Sequence, residues 1–81
     1  MRLDKWLYYS RLFKTRSDSQ KACFNGDVLV NKIKKINYDY KISKKDIITL
    51  IKKNKIYIVE VVLLPVKRIS SKEIGKIYKL I

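Results

Sequence analysis

The stretch that decides the fold runs from Arg2 to Asn31 and reads RLDKWLYYSRLFKTRSDSQKACFNGDVLVN. It holds two short helical patterns that lead directly into a strand. In the first pattern, Leu3, Trp6 and Leu7 recur at the spacing of one helix face. This spacing predicts an amphipathic helix of about three turns over Arg2–Phe13. Because Trp6 falls on the apolar face, we expect it to be a core residue rather than a platform for stacking on a base.

The second helical pattern is bounded by cap signals at both ends. Ser17 and Gln20 form an S-x-x-Q capping box, so we expect Ser17 to be the N-cap residue. Gly26, after Asn25, can take the left-handed conformation that ends a helix. The residues expected to face the first helix are small and permit close packing: Ser19, Ala22 and Cys23.

The middle of the chain predicts a small antiparallel sheet. The expected strands are Val28–Val30, Ile47–Ile51 and Ile56–Leu63. A hairpin turn at Lys52–Lys55 joins the last two. Residues 34–45 are expected to form a basic loop, with one short strand near Tyr40–Ile42. Because the strand from Ile56 to Leu63 is nearly all apolar, we expect it to be central or buried on both faces.

The last part of the chain predicts a helix. Pro65 is expected to end the sheet. Ser70 or Ser71 can then cap a final helix, whose apolar stripe would be Ile74, Ile77, Tyr78 and Ile81. The whole pattern predicts one α+β domain over residues 1–81, with two N-terminal helices packed on a small bent antiparallel sheet, plus a C-terminal helix.

The composition points to a polyanionic partner. The 20 Lys and Arg residues exceed the 7 Asp and Glu residues, which gives a net charge of +13. Charge of one sign at this density opposes folding through self-repulsion, and nucleic acid is the usual partner of such a chain. The sequence has no apolar run of ~18 residues and no signal-like N-terminus. We therefore expect a cytoplasmic protein with no membrane partner.

The residue types that most catalytic and metal sites require are missing. The chain has no histidine and one cysteine, which excludes an ordinary zinc site. Its two glycines cannot form a phosphate-binding loop or a dinucleotide fingerprint. The acidic residues are scattered through turns and caps rather than paired. We therefore expect no enzyme activity, no catalytic residues, no metal and no cofactor.

The candidate phosphate-binding residues are six basic side chains of the two helices and their connection: Arg2, Lys5, Arg11, Lys14, Arg16 and Lys21. Arginine offers a planar fork that matches phosphate, and lysine offers a mobile point charge. The start of the second helix, at Ser17, adds free backbone amides to the same site. Asp4 could pair with Arg2 or Arg16, and we interpret it as a residue that orients an arginine. The lysines between residues 32 and 55 are interpreted as solvated.

Several of these motifs together resemble those of a known domain family. RLDKWL at 2–7, then Ser10-Arg11, Lys14–Ser17 and Val30-Asn31, resembles the αL motif of the ribosomal-protein-S-four-type RNA-binding domain. The pattern is most similar to the small stand-alone members, the RqcP / heat-shock-protein-fifteen family, whose C-terminal pattern recurs at Lys67-Arg68. The resemblance implies a single S-four-type domain over 1–81. Its αL core would span about 2–50, and the hairpin strand and helix would span 56–81.

The resemblance also implies a function. It implies an RNA-binding factor of bacterial ribosome quality control that binds large-subunit rRNA and peptidyl-tRNA on stalled, split ribosomes. Its further partner would be the factor that adds C-terminal alanine tails. The contacts would come from the six basic residues, with Asp4 and Ser17 in support.

Three alternatives remain open. The same domain could bind rRNA or tRNA in ribosome assembly or translation regulation. It could serve a separate RNA-modifying or tRNA-charging enzyme, since such domains are often fused to those enzymes. It could also be a basic protein that binds any polyanion, which would then show no preference for ribosomal subunits over duplex DNA.

Three positions depart from the family pattern, and the first of them is Ser19, which replaces a usual alanine. Lys32 stands where a glycine usually follows V-x-V-N, and Lys45 replaces the glycine of a common Gly-Asp pair. A lysine at such a position predicts either a different turn or a strained left-handed residue.

Overall fold

The computed structural model describes residues 1–35 and 37–81. Its helices are α1 (Leu3–Tyr9), α2 (Arg16–Phe24) and α3 (Ile74–Ile77), the last preceded by a 3-10 turn at Ser71–Glu73. Its strands are β1 (Val28–Val30), β2 (Ile33–Lys34), β3 (Ile47–Lys52), β4 (Lys55–Val61) and β5 (Tyr78–Leu80). They form one antiparallel sheet in the order β2-β1-β3-β4-β5. The α+β class predicted from the sequence is confirmed.

Helix α1 buries the face that the sequence predicts. Leu3, Trp6 and Leu7 have no exposed surface, and the Trp6 indole N–H donates to the Leu63 carbonyl at 3.0 Å. The helix is nevertheless shorter than predicted and ends at Tyr9. Arg11 follows with a φ of 66°, a left-handed conformation that cannot continue a right-handed helix. The prediction of a helix as far as Phe13 was therefore wrong.

Helix α2 has a different N-cap from the one predicted. The helix begins at Arg16, and the hydroxyl of Thr15 accepts from the Asp18 amide at 3.0 Å. Ser17 lies one position inside the first turn, so its assignment as the N-cap was wrong. The C-terminal prediction is confirmed, since Gly26 follows the helix with a φ of 78°. The two helices also share a hydrogen bond, in which the buried Ser19 hydroxyl donates to the Asp4 carbonyl at 3.1 Å.

The hairpin between β3 and β4 turns where the sequence predicts. Lys52 pairs with Lys55, and Lys53 and Asn54 have φ values of 50° and 63°. Two successive left-handed residues match the right-handed twist of the flanking strands. The hairpin tip therefore lies at Lys53 and Asn54.

Strand β4 is not buried on both faces. Its last residues, Val59 and Val61, are buried, but Ile56 is 67% exposed. Side chains alternate between the two faces of a strand, so Ile56 lies on the face opposite to that of Val59 and Val61, where Ile58 is also exposed. The strand also ends at Val61 and not at Leu63. The expectation of a fully buried strand was therefore wrong.

The C-terminal helix is much shorter than predicted. Only the 3-10 turn and the four residues of α3 are helical, and the chain then becomes β5. Tyr78 pairs with Val61, so this strand satisfies backbone groups of β4 that would otherwise form an open edge. A single turn containing Gly75 cannot compete with that pairing.

The expected basic loop at 34–45 also differs in part. Ile33–Lys34 forms β2, and the strand expected near Tyr40–Ile42 is reduced to one bridge between Lys41 and Arg2. Residue 36 of this loop lies outside the described residues. Lys32 and Lys45 have φ values of 71° and 74°, so of the two possibilities that the sequence left open, the left-handed residue is the one observed.

The single cysteine belongs to the core. Cys23 is fully buried, and burial raises the pKa of its thiol to about 12, so the side chain serves as an apolar core residue.

Within the described part of the chain, none of the helices combines the length and the apolar composition that a membrane crossing needs.

Candidate nucleic-acid interface

A buried carboxylate joins the starts of the two N-terminal helices. The Asp4 side chain has no exposed surface and accepts Nε–H and Nη2–H of Arg2, both at 3.0 Å. It also accepts from Nη2 of Arg16 at 3.3 Å and from the Gln20 amide at 2.8 Å. We call Arg2, Asp4, Arg16 and Gln20 the Asp4 cluster. Gln20, assigned from the sequence to a capping box, therefore binds Asp4 instead.

The charge of the Asp4 cluster is fixed by these hydrogen bonds. Burial alone would raise the pKa of Asp4, but the donors from Gln20, Arg2 and Arg16 lower it to below its usual value. Asp4 is thus an anion, and one negative charge faces two guanidinium groups. The prediction that Asp4 pairs with Arg2 or Arg16 is confirmed for both.

The two arginines of the cluster remain available to a ligand. Their side chains are 38% and 39% exposed, for Arg2 and Arg16 respectively. Arg2 uses both arms of its fork on Asp4, whereas Arg16 uses one nitrogen. The buried Nε of Arg16 has no acceptor among the described residues. Arg16 therefore uses fewer of its N–H donors on Asp4 than Arg2 does, and the exposed ones can donate to a phosphate.

Two more of the candidate residues lie in a basic groove between α2 and the hairpin tip. Lys14 and Lys21 line it together with Lys52 and Lys53, and it encloses about 440 Å³. We call these four residues the lysine groove. Two carboxylates, Asp18 and Asp27, also line it.

Lys52 is the most constrained of the four lysines in this groove. Its ammonium group donates to the Leu12 carbonyl at 2.5 Å and lies 4.8 Å from the centre of the Phe13 ring. Burial, followed by the nearby charge of Lys53, lowers its pKa. The sequence analysis interpreted Lys52 and Lys53 as solvated. It could not place them beside Lys14 and Lys21, because only the tertiary fold brings the hairpin tip there.

Arg11 lies in a second basic groove, away from Lys14 and Lys21. Its Nε–H donates to the Ile69 carbonyl at 2.7 Å, and it lines a groove of about 530 Å³ with Lys67 and Arg68. We call Arg11, Lys67 and Arg68 the arginine groove. Glu73 lines the same groove. Arg11, Lys14 and Arg16 are close in sequence, yet they lie in the arginine groove, the lysine groove and the Asp4 cluster respectively.

Arg68 has a structural role that the sequence did not indicate. Its Nε–H donates to the Tyr8 carbonyl at 3.2 Å, and its guanidinium lies 4.6 Å from the centre of the Tyr8 ring. A cation near the last carbonyls of a helix interacts favourably with the helix dipole. Arg68 thus ties the C-terminal segment to the end of α1.

The remaining candidates are Lys5 and Ser17. The backbone amide of Lys5 donates to the Asp4 carboxylate at 2.9 Å, and its half-buried side chain lies beside Tyr9 in a groove that contains no residue of the Asp4 cluster. Ser17 is exposed in the first turn of α2. The Thr15 hydroxyl accepts from the Asp18 amide. The backbone N–H groups of the first turn that precede Asp18 are therefore the ones that an anion could bind.

The chemistry of these surfaces is that of anion binding. Their charged groups are mainly guanidinium and ammonium, which suit phosphate oxygens. Among the side chains of residues 1–35 and 37–81, no group of three or more His, Cys, Asp or Glu could hold a metal ion.

Comparison with known proteins agrees with this geometry. The S4 domain family matches residues 1–48, which include both N-terminal helices and the Asp4 cluster. The chain belongs to the S4 domain family. S4 domains are RNA-binding domains, and the resemblance found in the sequence is thereby confirmed.

The solved structures extend the match to the whole chain. The S4 protein described here is similar to heat shock protein 15 of Vibrio cholerae, whose structure is described as trimeric. The two share 25% sequence identity with a TM-score of 0.92, over 100% of this chain and 81% of the other. The protein is therefore an S4 domain protein with the fold of heat shock protein 15. Among curated proteins, no sequence matches it.

Proposed function

We propose that this S4 domain protein is an RNA-binding factor of bacterial ribosome quality control. It would bind the rRNA of the large ribosomal subunit and the peptidyl-tRNA that remains on stalled, split ribosomes, and so support C-terminal alanine tailing. The observation that carries RNA binding is the Asp4 cluster, in which a buried anion presents two half-exposed arginines. The assignment to quality control rests on the sequence resemblance.

The proposed mechanism uses no covalent chemistry. Arg2 and Arg16 are held on Asp4 before RNA arrives, so less side-chain entropy is lost when they bind phosphate. Lys14 and Lys21 add point charges from the lysine groove, and Arg11 and Lys5 add charge on other faces. Contacts of this kind neutralise the backbone and fix the orientation of the bound RNA. The protein would thereby hold a tRNA in one position on the subunit.

The partners follow from this placement. A protein bound between large-subunit rRNA and peptidyl-tRNA works in the cytoplasm and meets the alanine-tailing factor on the same particle.

A pull-down of the tagged full-length chain from cells with stalled ribosomes tests the proposal. We expect free large subunits that carry peptidyl-tRNA, together with the tailing factor. The Arg16→Ala variant should recover much less of both. The Lys76→Ala variant loses the same charge on α3, outside the grooves described above, and should recover the wild-type amount.

The other outcomes separate the alternatives. Recovery of immature particles without peptidyl-tRNA would replace quality control with a role in assembly. Recovery of nucleic acid of every kind, DNA included, would leave only a general polyanion binder. Recovery of no RNA at all would contradict RNA binding itself.

A further inference from the structure

A third groove opens on the inner face of the sheet, beyond the cover of the helices. Tyr57, Tyr78 and Leu80 line it together with Arg11 and Lys52, and it encloses about 230 Å³. We call these five residues the tyrosine groove. The groove is not part of the Asp4 cluster, and it shares only Arg11 and Lys52 with the two basic grooves.

Strand register explains why this part of the sheet is open. Tyr57 pairs with the buried Leu50, and Leu80 pairs with the buried Val59, so both side chains are on the core-facing side. Tyr57 is nevertheless 40% exposed and Leu80 is exposed, because α1 ends at Tyr9 and leaves the hairpin end of β4 uncovered. Aromatic and aliphatic surface is therefore presented to solvent there.

The chemistry of the groove differs from that of its neighbours. Carboxylates line both basic grooves, with Asp18 in the lysine groove and Glu73 in the arginine groove. The tyrosine groove has two phenol rings, aliphatic walls and two cations, and no carboxylate among its lining residues. Aromatic rings flanked by cations are the combination on which bases of single-stranded nucleic acid stack.

The tyrosine groove adjoins both basic grooves. Lys52 lines both the lysine groove and the tyrosine groove, and Arg11 lines both the tyrosine groove and the arginine groove. The apolar surface therefore lies between two surfaces that suit phosphate. A strand that crosses from one basic groove to the other would bring a base onto Tyr57.

We propose that the tyrosine groove binds one unpaired nucleobase of RNA, while the adjoining phosphates contact Lys52 and Arg11. The inference rests on the proposed RNA binding and adds a second site to it. A volume of about 230 Å³ is below the ~300 Å³ at which pockets for drug-sized ligands begin, so it suits a single base. Because every base has a π-face, the site would tolerate any sequence but require an unpaired nucleotide.

The test compares two strands that carry the same phosphates. Fluorescence anisotropy would measure the binding of the full-length protein to an unpaired RNA of ~8 nucleotides and to an abasic strand of equal length. Wild-type protein should bind the base-bearing strand about 5- to 150-fold more tightly. Tyr57→Ala should abolish that preference, and Tyr57→Phe should keep it.

Two further variants control the result. Phe24→Ala removes an exposed aromatic ring from α2, outside the tyrosine groove, and should keep the preference. Leu80→Ser removes one apolar wall at an exposed position of β5 and should reduce the preference about threefold. Circular dichroism would establish that each variant is folded. If Tyr57→Ala did not fold, Leu80→Ser would still test the groove.

The outcomes distinguish the two proposals. Equal affinity of wild-type protein for both strands would overturn the base site while leaving phosphate binding intact. Loss of the preference in Phe24→Ala, with retention in Tyr57→Ala, would also overturn it. Failure of wild-type protein to bind either strand or large ribosomal subunits would instead overturn the proposed function.

Discussion

Asp4 is fully buried while its two arginine partners are more than one-third exposed, and this asymmetry defines its role. A buried carboxylate that accepts from Arg2, Arg16 and Gln20 positions those side chains and has no access to a substrate. The sequence predicted this pairing because Asp4 is the only acidic residue near the start of the first helix. It could not predict the part played by Gln20, since an S-x-x-Q spacing is also a capping signal.

Replacement of Asp4 tests this role through stability. Asp4→Asn should lower the free energy of unfolding at neutral pH by about 2–3 kcal/mol. The loss is below the ~3–5 kcal/mol typical when a buried ion pair is broken, because water can still solvate both arginines. The pKa of Asp4 is lower in the folded protein than in the unfolded chain. Wild-type protein therefore has this stabilisation fully at pH values above the unfolded-state pKa of ~3.9, and loses it as the pH falls below that value towards the folded-state pKa.

Urea unfolding of both proteins at pH ~7, ~5 and ~3 checks the prediction. The difference between wild type and Asp4→Asn should shrink towards the lowest pH. A difference that stayed constant over this range would show that Asp4 carries no linked charge.

At the scale of elements, the start of α2 shows how two equivalent local signals compete. Thr15 with Asp18 and Ser17 with Gln20 are both capping patterns, two residues apart. Tertiary contacts decide between them, because Gln20 binds Asp4 and Arg16 must be helical to reach the same carboxylate. Sequence periodicity alone does not contain that information.

The two capping residues can be compared directly. Thr15→Ala should lower the free energy of unfolding by about 1 kcal/mol, because the Asp18 amide loses its acceptor. Ser17→Ala should change it by less than about 0.5 kcal/mol, since its exposed hydroxyl caps nothing. Chemical denaturation of both variants measures the two values. The reverse order would mean that the helix begins at Ser17 after all.

The turn before β3 offers a test of backbone strain. Lys45 has a φ of 74°, which costs a non-glycine residue about 1 kcal/mol. Lys45→Gly should therefore raise the free energy of unfolding by about 0.5–1 kcal/mol. Lys44→Gly removes the same charge from the neighbouring exposed position, whose φ is not positive, and should give no gain. Equal effects in thermal unfolding would show that charge, and not backbone conformation, is responsible.

The C-terminal region shows the limit of prediction from sequence at this scale. Ile74, Ile77 and Tyr78 have helical spacing, yet only one turn is helical before β5 begins. Strand pairing with Val61 is a long-range contact, and it outweighs the weak helix propensity of a segment that contains Gly75. The N-terminal region was predicted better because its periodicity, caps and burial agree.

At the scale of the whole molecule, nine of the 20 Lys and Arg residues lie in three basic surfaces. The Asp4 cluster, the lysine groove and the arginine groove consist of different residues, and the tyrosine groove shares one residue with each of the last two. The sequence identified the basic helices, but Lys52, Lys53 and Arg68 join the site only through the fold. Such an arrangement suits a folded RNA that contacts several faces.

The salt dependence of binding measures this electrostatic contribution. If about 6 phosphates are neutralised, the affinity for large ribosomal subunits should fall with salt at a log–log slope of roughly −4 to −5. Filter binding over a range of salt concentrations gives the slope. A flat response would exclude phosphate neutralisation as the source of affinity.

The central claim is that Arg16, held on Asp4, contacts RNA, and the affinity of Arg16→Ala for large ribosomal subunits tests it most directly. We predict a loss of about 1–3 kcal/mol in binding with the fold intact, since a charge-assisted contact is removed. Lys76→Ala, which loses the same charge elsewhere, should bind normally. Normal binding by Arg16→Ala, together with lost binding by Lys52→Ala or Lys53→Ala, would contradict the claim and place the interface on the hairpin.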